Sequence, residues 1–121
     1  LKGDVMAVVE LTKKTFEEEI LKETLPVMIV FYRKGDAFCE EALVEAKKLS
    51  GELSGQAKIC TVDVDEEIAL AFQYQVMDIP LCVFMNYGIF QKRVSGKFDA
   101  SKAEQLLRSL KAENGTQHIS F

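Results

Sequence analysis

The chain has 121 residues, 48% of them hydrophobic, with a formal net charge of −4 from 15 Lys+Arg against 19 Asp+Glu. That length fits one domain with its own core, the hydrophobic share fits a globular rather than a disordered chain, and the interspersed charge argues against a surface for nucleic acid or membrane. Three cysteines, at 39, 60 and 82, are too few and too far apart for a disulfide framework or a zinc site, so a reducing, cytoplasmic setting is expected and neither metal nor cofactor is implied.

There is no signal-peptide pattern and no apolar run long enough to cross a bilayer. The chain begins at Leu1 rather than Met, which leaves room for a processed or truncated N-terminus. LKGD (1–4) reads as a loose arm, and VMAVVEL (5–11) predicts a strand. Thr12 or Thr15 is placed to cap a helix over 13–23, with Phe16, Ile20 and Leu21 on one face and Glu17-Glu18-Glu19 on a solvated one.

Pro26 ends that segment, and VMIVFY (27–32) is a continuous apolar run, the mark of a strand covered on both faces. From Ala37 to about Leu53 the period becomes helical. Cys39, Ala42, Leu43, Ala46, Leu49 and Leu53 form one stripe, and Gly51 or Gly55 can end the helix. KICTVDV (58–64) predicts the next strand, and Asp65 is placed to cap a short helix over EEIALAFQY (66–74).

After Pro80, LCVFM reads as a strand, and the turn Asn86-Tyr87-Gly88 leads into a hairpin partner, IFQKRVS (89–95). Asp99 or Ser101 caps a last helix with Ala103, Leu106, Leu107 and Leu110 facing inward, and Ser101 with Glu104 also fits a capping box. ENGTQHISF (113–121) reads as a polar tail. In it His118 is a lone solvated residue, and the formal glycosylation sequon Asn114-Gly115-Thr116 is a turn. The order is β-α-β-α-β-α-β-β-α. This is an α/β fold with a mixed sheet and helices on both faces, a single domain over 1–121 with its core in about 5–112.

Over those residues the chain resembles thioredoxin. PVMIVFY (26–32) is similar to the family's central strand, VDVDEE (62–67) to its NVDEN stretch, and YQVMDIP (74–80) to its YGIRGIP approach to a cis-proline. Asn86-Tyr87-Gly88 matches the hairpin turn and Gly96 the glycine after the last strand. The resemblance implies the thioredoxin fold. It also implies a groove for extended protein or peptide segments around Asp78, Ile79, Pro80 and Gly96.

The departures lie where the chemistry should be. The family's W-C-G-P-C falls on Gly35, Asp36, Ala37, Phe38 and Cys39, so only the second cysteine is kept. Its buried acid falls on Val30, the accompanying lysine on Thr61, and a proline that kinks the long helix on Val44. Dithiol exchange needs one thiolate to attack and a second thiol to resolve the mixed disulfide. The expectation is therefore a degenerate site that binds protein or peptide, in which Asp36 serves as a helix cap. A first alternative makes Cys39 the nucleophile of a monothiol oxidoreductase or peroxidase, since the turn also resembles the T-x-x-C turn of peroxiredoxins. A second makes the chain a non-catalytic domain of a larger disulfide-isomerase-like protein. Cys60 and Cys82 are expected to fill core, with a Cys39–Cys82 disulfide left open.

Overall fold

A computed structural model describes residues 8–117. In chain order these are β1 (Val9–Glu10), a π-helical turn (Glu17–Leu21), β2 (Val27–Tyr32), α1 (Ala37–Glu52), β3 (Lys58–Asp63), α2 (Ile68–Gln73), β4 (Leu81–Asn86), β5 (Ile89–Ser95) and α3 (Ala100–Gln117). The five strands form one sheet in the order β1-β3-β2-β4-β5. β1 and β2 run parallel to β3, whereas β2–β4 and β4–β5 are antiparallel. This is the mixed sheet expected from the order of elements, and it fits the fold that the resemblance to thioredoxin implies.

All six residues of β2 are buried, as the unbroken apolar run predicts. Side chains alternate across a strand. Val27, Ile29 and Phe31 join Phe16, Ile20 and Leu70 on the face covered by the π-helical turn and α2. Met28 and Val30 join Ala42, Leu49, Phe84 and Leu107 beneath α1 and α3. The stripe of α1 is buried at Cys39, Ala42, Ala46, Leu49 and Leu53, whereas Leu43 is only half-buried. Gly55, rather than Gly51, takes the left-handed place after this helix, with φ +80°.

Several local readings are corrected. The expected helix over 13–23 shrinks to the π-helical turn. Thr12 and Thr15 bond each other's backbone N–H through their hydroxyls, which closes the preceding turn. The Glu23 carboxylate then accepts the N–H groups of Thr24 and Leu25, which stops the helix. Glu19 is not simply solvated: it and Glu23 pair with the half-buried Lys58 at the start of β3.

Asp65 does not cap α2. Asp63 Oδ1 accepts the N–H groups of Asp65 and Glu66 and so makes that turn. On α3 the cap is Asp99, which accepts the Lys102 N–H at 3.1 Å, and no capping box forms because Glu104 pairs with Arg108 one turn on. Leu106 is half-buried, unlike Ala103, Leu107 and Leu110.

The reading of 113–121 as a tail fails at its start, since α3 runs to Gln117. Asn114 is buried, and its side-chain amide exchanges two hydrogen bonds, of 2.9 and 3.2 Å, with the buried Asn86 amide at the end of β4. A buried amide satisfied in this way ties the helix to the hairpin. Residues 5–7 of the first predicted strand, the 1–4 arm, His118 and the rest of the tail lie outside the described residues.

Tyr87 and Gly88, with φ +54° and +75°, form the tight turn between β4 and β5. A Cβ at Gly88 would stand 2.8 Å from the Leu21 carbonyl oxygen and 3.2 Å from Leu21 Cα, both backbone atoms. Gly88→Ala is therefore expected to destabilise the fold by about 2 kcal/mol or more, from overpacking added to an unfavourable backbone region. Urea denaturation of both proteins checks this; an unchanged midpoint would refute the close approach of hairpin and π-helical turn.

Candidate functional site

The topology gathers the predicted site at one end of the sheet. β2 ends at Tyr32, and its antiparallel neighbour β4 begins at Leu81, opposite Phe31. Ser95 of β5 lies opposite Leu81, so Gly96 leaves the sheet at the same end. The turn of residues 33–36, the segment 78–80 and Gly96 are thus neighbours in the fold, although they are far apart in the chain. The N–H of Gly96 donates to the Pro80 carbonyl at 3.0 Å, and the Ile79–Pro80 bond is cis.

The turn itself is built from hydrogen bonds. Gly35 has φ +89°, a conformation that favours glycine, and its N–H donates to Glu40 Oε2 at 3.2 Å. Asp36 then adopts an extended conformation as the N-cap of α1. Its Oδ1 accepts the Cys39 N–H at 2.9 Å, filling one of the donors that a helix start leaves unpaired. The cap role expected for Asp36 is the one observed.

Arg33 and Lys34 join this end of the sheet to the loop after β3. The Arg33 guanidinium makes three contacts of 3.0–3.2 Å with the Asp65 carboxylate. Lys34 lies 3.7 Å from the buried Asp63. Sequence reasoning did not single out Arg33, Lys34, Glu40 or Asp63. Their partners stand up to 32 residues away in the chain, and no local pattern points to them.

Cys39 is fully buried, with 0% of its surface exposed. Burial pushes its thiol pKa up, the Arg33 N–H 3.5 Å from its sulfur pulls it back, and the Asp36 carboxylate adds to the rise. The sum is upward, so the thiol form is favoured. Cys60 and Cys82 lie in the core, as expected, and burial pushes both thiols up to about 12. All three cysteines are free.

Val30 faces Thr61 on one side and Cys82 on the other. Thr61 donates from its hydroxyl to Glu10 Oε1 at 2.6 Å, and the Tyr32 hydroxyl donates to the same carboxylate. Around the turns, Ala37 and Phe38 open α1 with Phe38 54% exposed, and Met77, just before Asp78, is 86% exposed. Asp78 is exposed, Ile79 half-buried and Pro80 buried.

The thioredoxin family model matches residues 7–112. The chain belongs to the thioredoxin family. It is 34% identical over 79 residues to a putative protein disulfide-isomerase of Dictyostelium discoideum, covering 65% of this chain and only 19% of that protein. It is 29% identical over 77 residues to a thioredoxin of Rickettsia bellii, covering 64% of this chain and 73% of that one. A mutant thioredoxin from Halobacterium salinarum shares the fold with a TM-score of 0.79 at 23% identity, over 87% of this chain and 91% of the other. No helix among the described residues is long and apolar enough to cross a membrane.

The state of Cys39 is measurable. Its alkylation by iodoacetamide is expected to be slow near neutral pH and to keep rising with pH past about 9, the ordinary thiol value that its raised pKa exceeds, with no plateau before it. Mass spectrometry of the folded protein at pH 6 to 10 checks this; thiolate-like reactivity at pH 6 would refute it.

Proposed function

We propose that this domain binds extended peptide non-covalently at the surface of Asp36, Asp78, Ile79, Pro80 and Gly96, and does not exchange disulfides. The observation that carries the reading is the Asp36 carboxylate bonded to the Cys39 N–H, at the place of the family's attacking thiol. No exposed sulfur remains at the turn to open a mixed disulfide. Among the described residues nothing bonds the main chain of Ile79, which leaves it free to pair with an added strand, a mode that needs no thiol. Phe38 and Met77 supply apolar contact, and Asp36 with Asp78 favours neutral or basic peptides over acidic ones. Three free thiols suit a reducing compartment.

The contact is small, so binding in the micromolar range or weaker is expected. NMR titration with neutral and basic peptides should shift residues 35–38, 78–80 and 96. Phe38→Ser with Met77→Ser should weaken binding about ten-fold, since each loses part of about 2 kcal/mol of apolar burial. Insulin reduction should stay at background. Shifts elsewhere, or insulin turnover at a thioredoxin's rate, would overturn the reading.

A second reading, in which the chain is one domain of a longer disulfide-isomerase-like protein, is supported by the match that spans 19% of the Dictyostelium relative. Immunoblotting of the native protein with an antibody to this domain tests it: a band near 13.6 kDa counts against it.

Asp36→Cys separates loss of the nucleophile from loss of its assistance. The turn should then form a disulfide with Cys39, yet turn over poorly, because Val30, between Thr61 and Cys82, cannot move a proton to or from the second sulfur. Thiol titration and insulin turnover of the variant check both halves; full activity would refute the role given to Val30.

A further inference from the structure

β5 ends the sheet, and all seven of its residues are exposed. No strand among the described residues pairs with its outer edge. Between β5 and α3 lies an open cleft of about 550 Å³. Phe84, Val94, Phe98 and Leu106 give it an apolar lining, and Lys92, Lys97 and Lys102 stand around it. None of these three ammonium groups has a carboxylate partner among the described residues. The acid in this lining, Asp99, is engaged as the cap of α3. A chain of net charge −4 thus gathers three lysines around one cleft, Lys92 on β5, Lys97 in the loop after it and Lys102 on α3.

We propose that this edge is a second binding site, for an extended acidic peptide that adds as a sixth strand beside β5. The open ladder supplies main-chain hydrogen bonds. Lys92 and Val94 face the α3 side, as their register opposite Phe84 and Cys82 requires. Alternate side chains of the added strand fall on that same side, over the cleft. Apolar ones enter it and carboxylates meet the lysines. Charge also decides against a second copy of this chain, because antiparallel pairing of β5 with itself sets Lys92 and Arg93 close to their own counterparts. The site is separate from the peptide surface proposed above except at Gly96, which borders both and is not used as a reporter.

The test is an NMR titration with the acetylated, amidated peptide Glu-Thr-Phe-Thr-Glu-Thr-Glu, whose Phe and three Glu share one face of a strand, beside the same peptide with Lys for each Glu and one with a central Pro. The acidic peptide should shift residues 89–95 and 97–106 and slow amide exchange along β5. It should bind at least about ten-fold more tightly than the basic one, as three surface ion pairs allow. The Pro peptide should bind weakly. Lys92→Glu with Lys97→Glu and Lys102→Glu, all at exposed positions, should reverse the preference without changing the denaturation midpoint by much. No binding at millimolar peptide, equal affinity for acidic and basic peptides, unchanged β5 exchange, or shifts confined to 36–39 and 78–80 would each overturn the proposal.

Discussion

The burial of β2 on both faces is the constraint from which the rest of the structure follows. Six successive side chains leave water, and five of them, Val27 to Phe31, divide between two clusters on opposite sides of the sheet. Helical cover is then needed on each side, from α1 and α3 on one and from the π-helical turn and α2 on the other. β2 also separates a parallel neighbour, β3, from an antiparallel one, β4. The chain leaving β2 therefore emerges where the sheet changes direction, and loops from both halves converge there. Open α/β sheets collect ligands at such a point. The position of the 33–36 turn is thus a result of core packing, settled before any chemistry at the turn is considered.

What fixes the turn is mostly hydrogen bonding, with charge pairing second. The Arg33–Asp65 pair is more than half exposed at both ends, and pairs of that kind contribute little. Asp63 is different: it is buried, and its carboxylate accepts two backbone N–H groups while facing Lys34. Together with Gly35 held by Glu40, and Cys39 held by Asp36, it leaves the turn few other conformations. A surface ordered in advance loses less entropy when a partner docks.

Much of this architecture was legible because β2 carries no polar residue until Tyr32 and because the α1 stripe keeps a helical period. The failures share one cause. Asp65 looked like a cap, but Arg33 reaches it across the end of the sheet and Asp63 takes the local role. Asn114 looked like the start of a tail, but it continues the buried face of α3 four residues beyond Leu110 and finds Asn86 across the core. The helix after Thr12 was cut short by Glu23, whose carboxylate bonds the backbone just ahead. Local propensity reads a residue type by its neighbours in sequence, whereas each of these was decided by the hydrogen bonds its side chain makes, to distant partners for Asp65 and Asn114 and to the adjacent backbone for Glu23. At the site the helix start was readable, because an acid before an apolar stripe signals a cap. The exposure of Met77 was not, because nothing local distinguishes it from a core methionine.

What a carboxylate or a sulfur does at a position such as 36 can be understood from the helix start alone. The first turn of a helix presents unpaired N–H groups and the positive end of the backbone dipole. A thiol placed there is drawn toward its reactive anion. A carboxylate placed there uses the same donors, and a cap of this kind adds about 1 kcal/mol to stability. One local field thus serves either a nucleophile or a structural anion, and the residue at the cap decides which. Cys39, a turn further on, stands in a different setting. Its own N–H is the donor that Asp36 uses, its sulfur is buried, and the acid beside it opposes ionisation. The carboxylate that caps the start of α1 also adds to the rise of the Cys39 thiol pKa, beside burial, which is the larger cause.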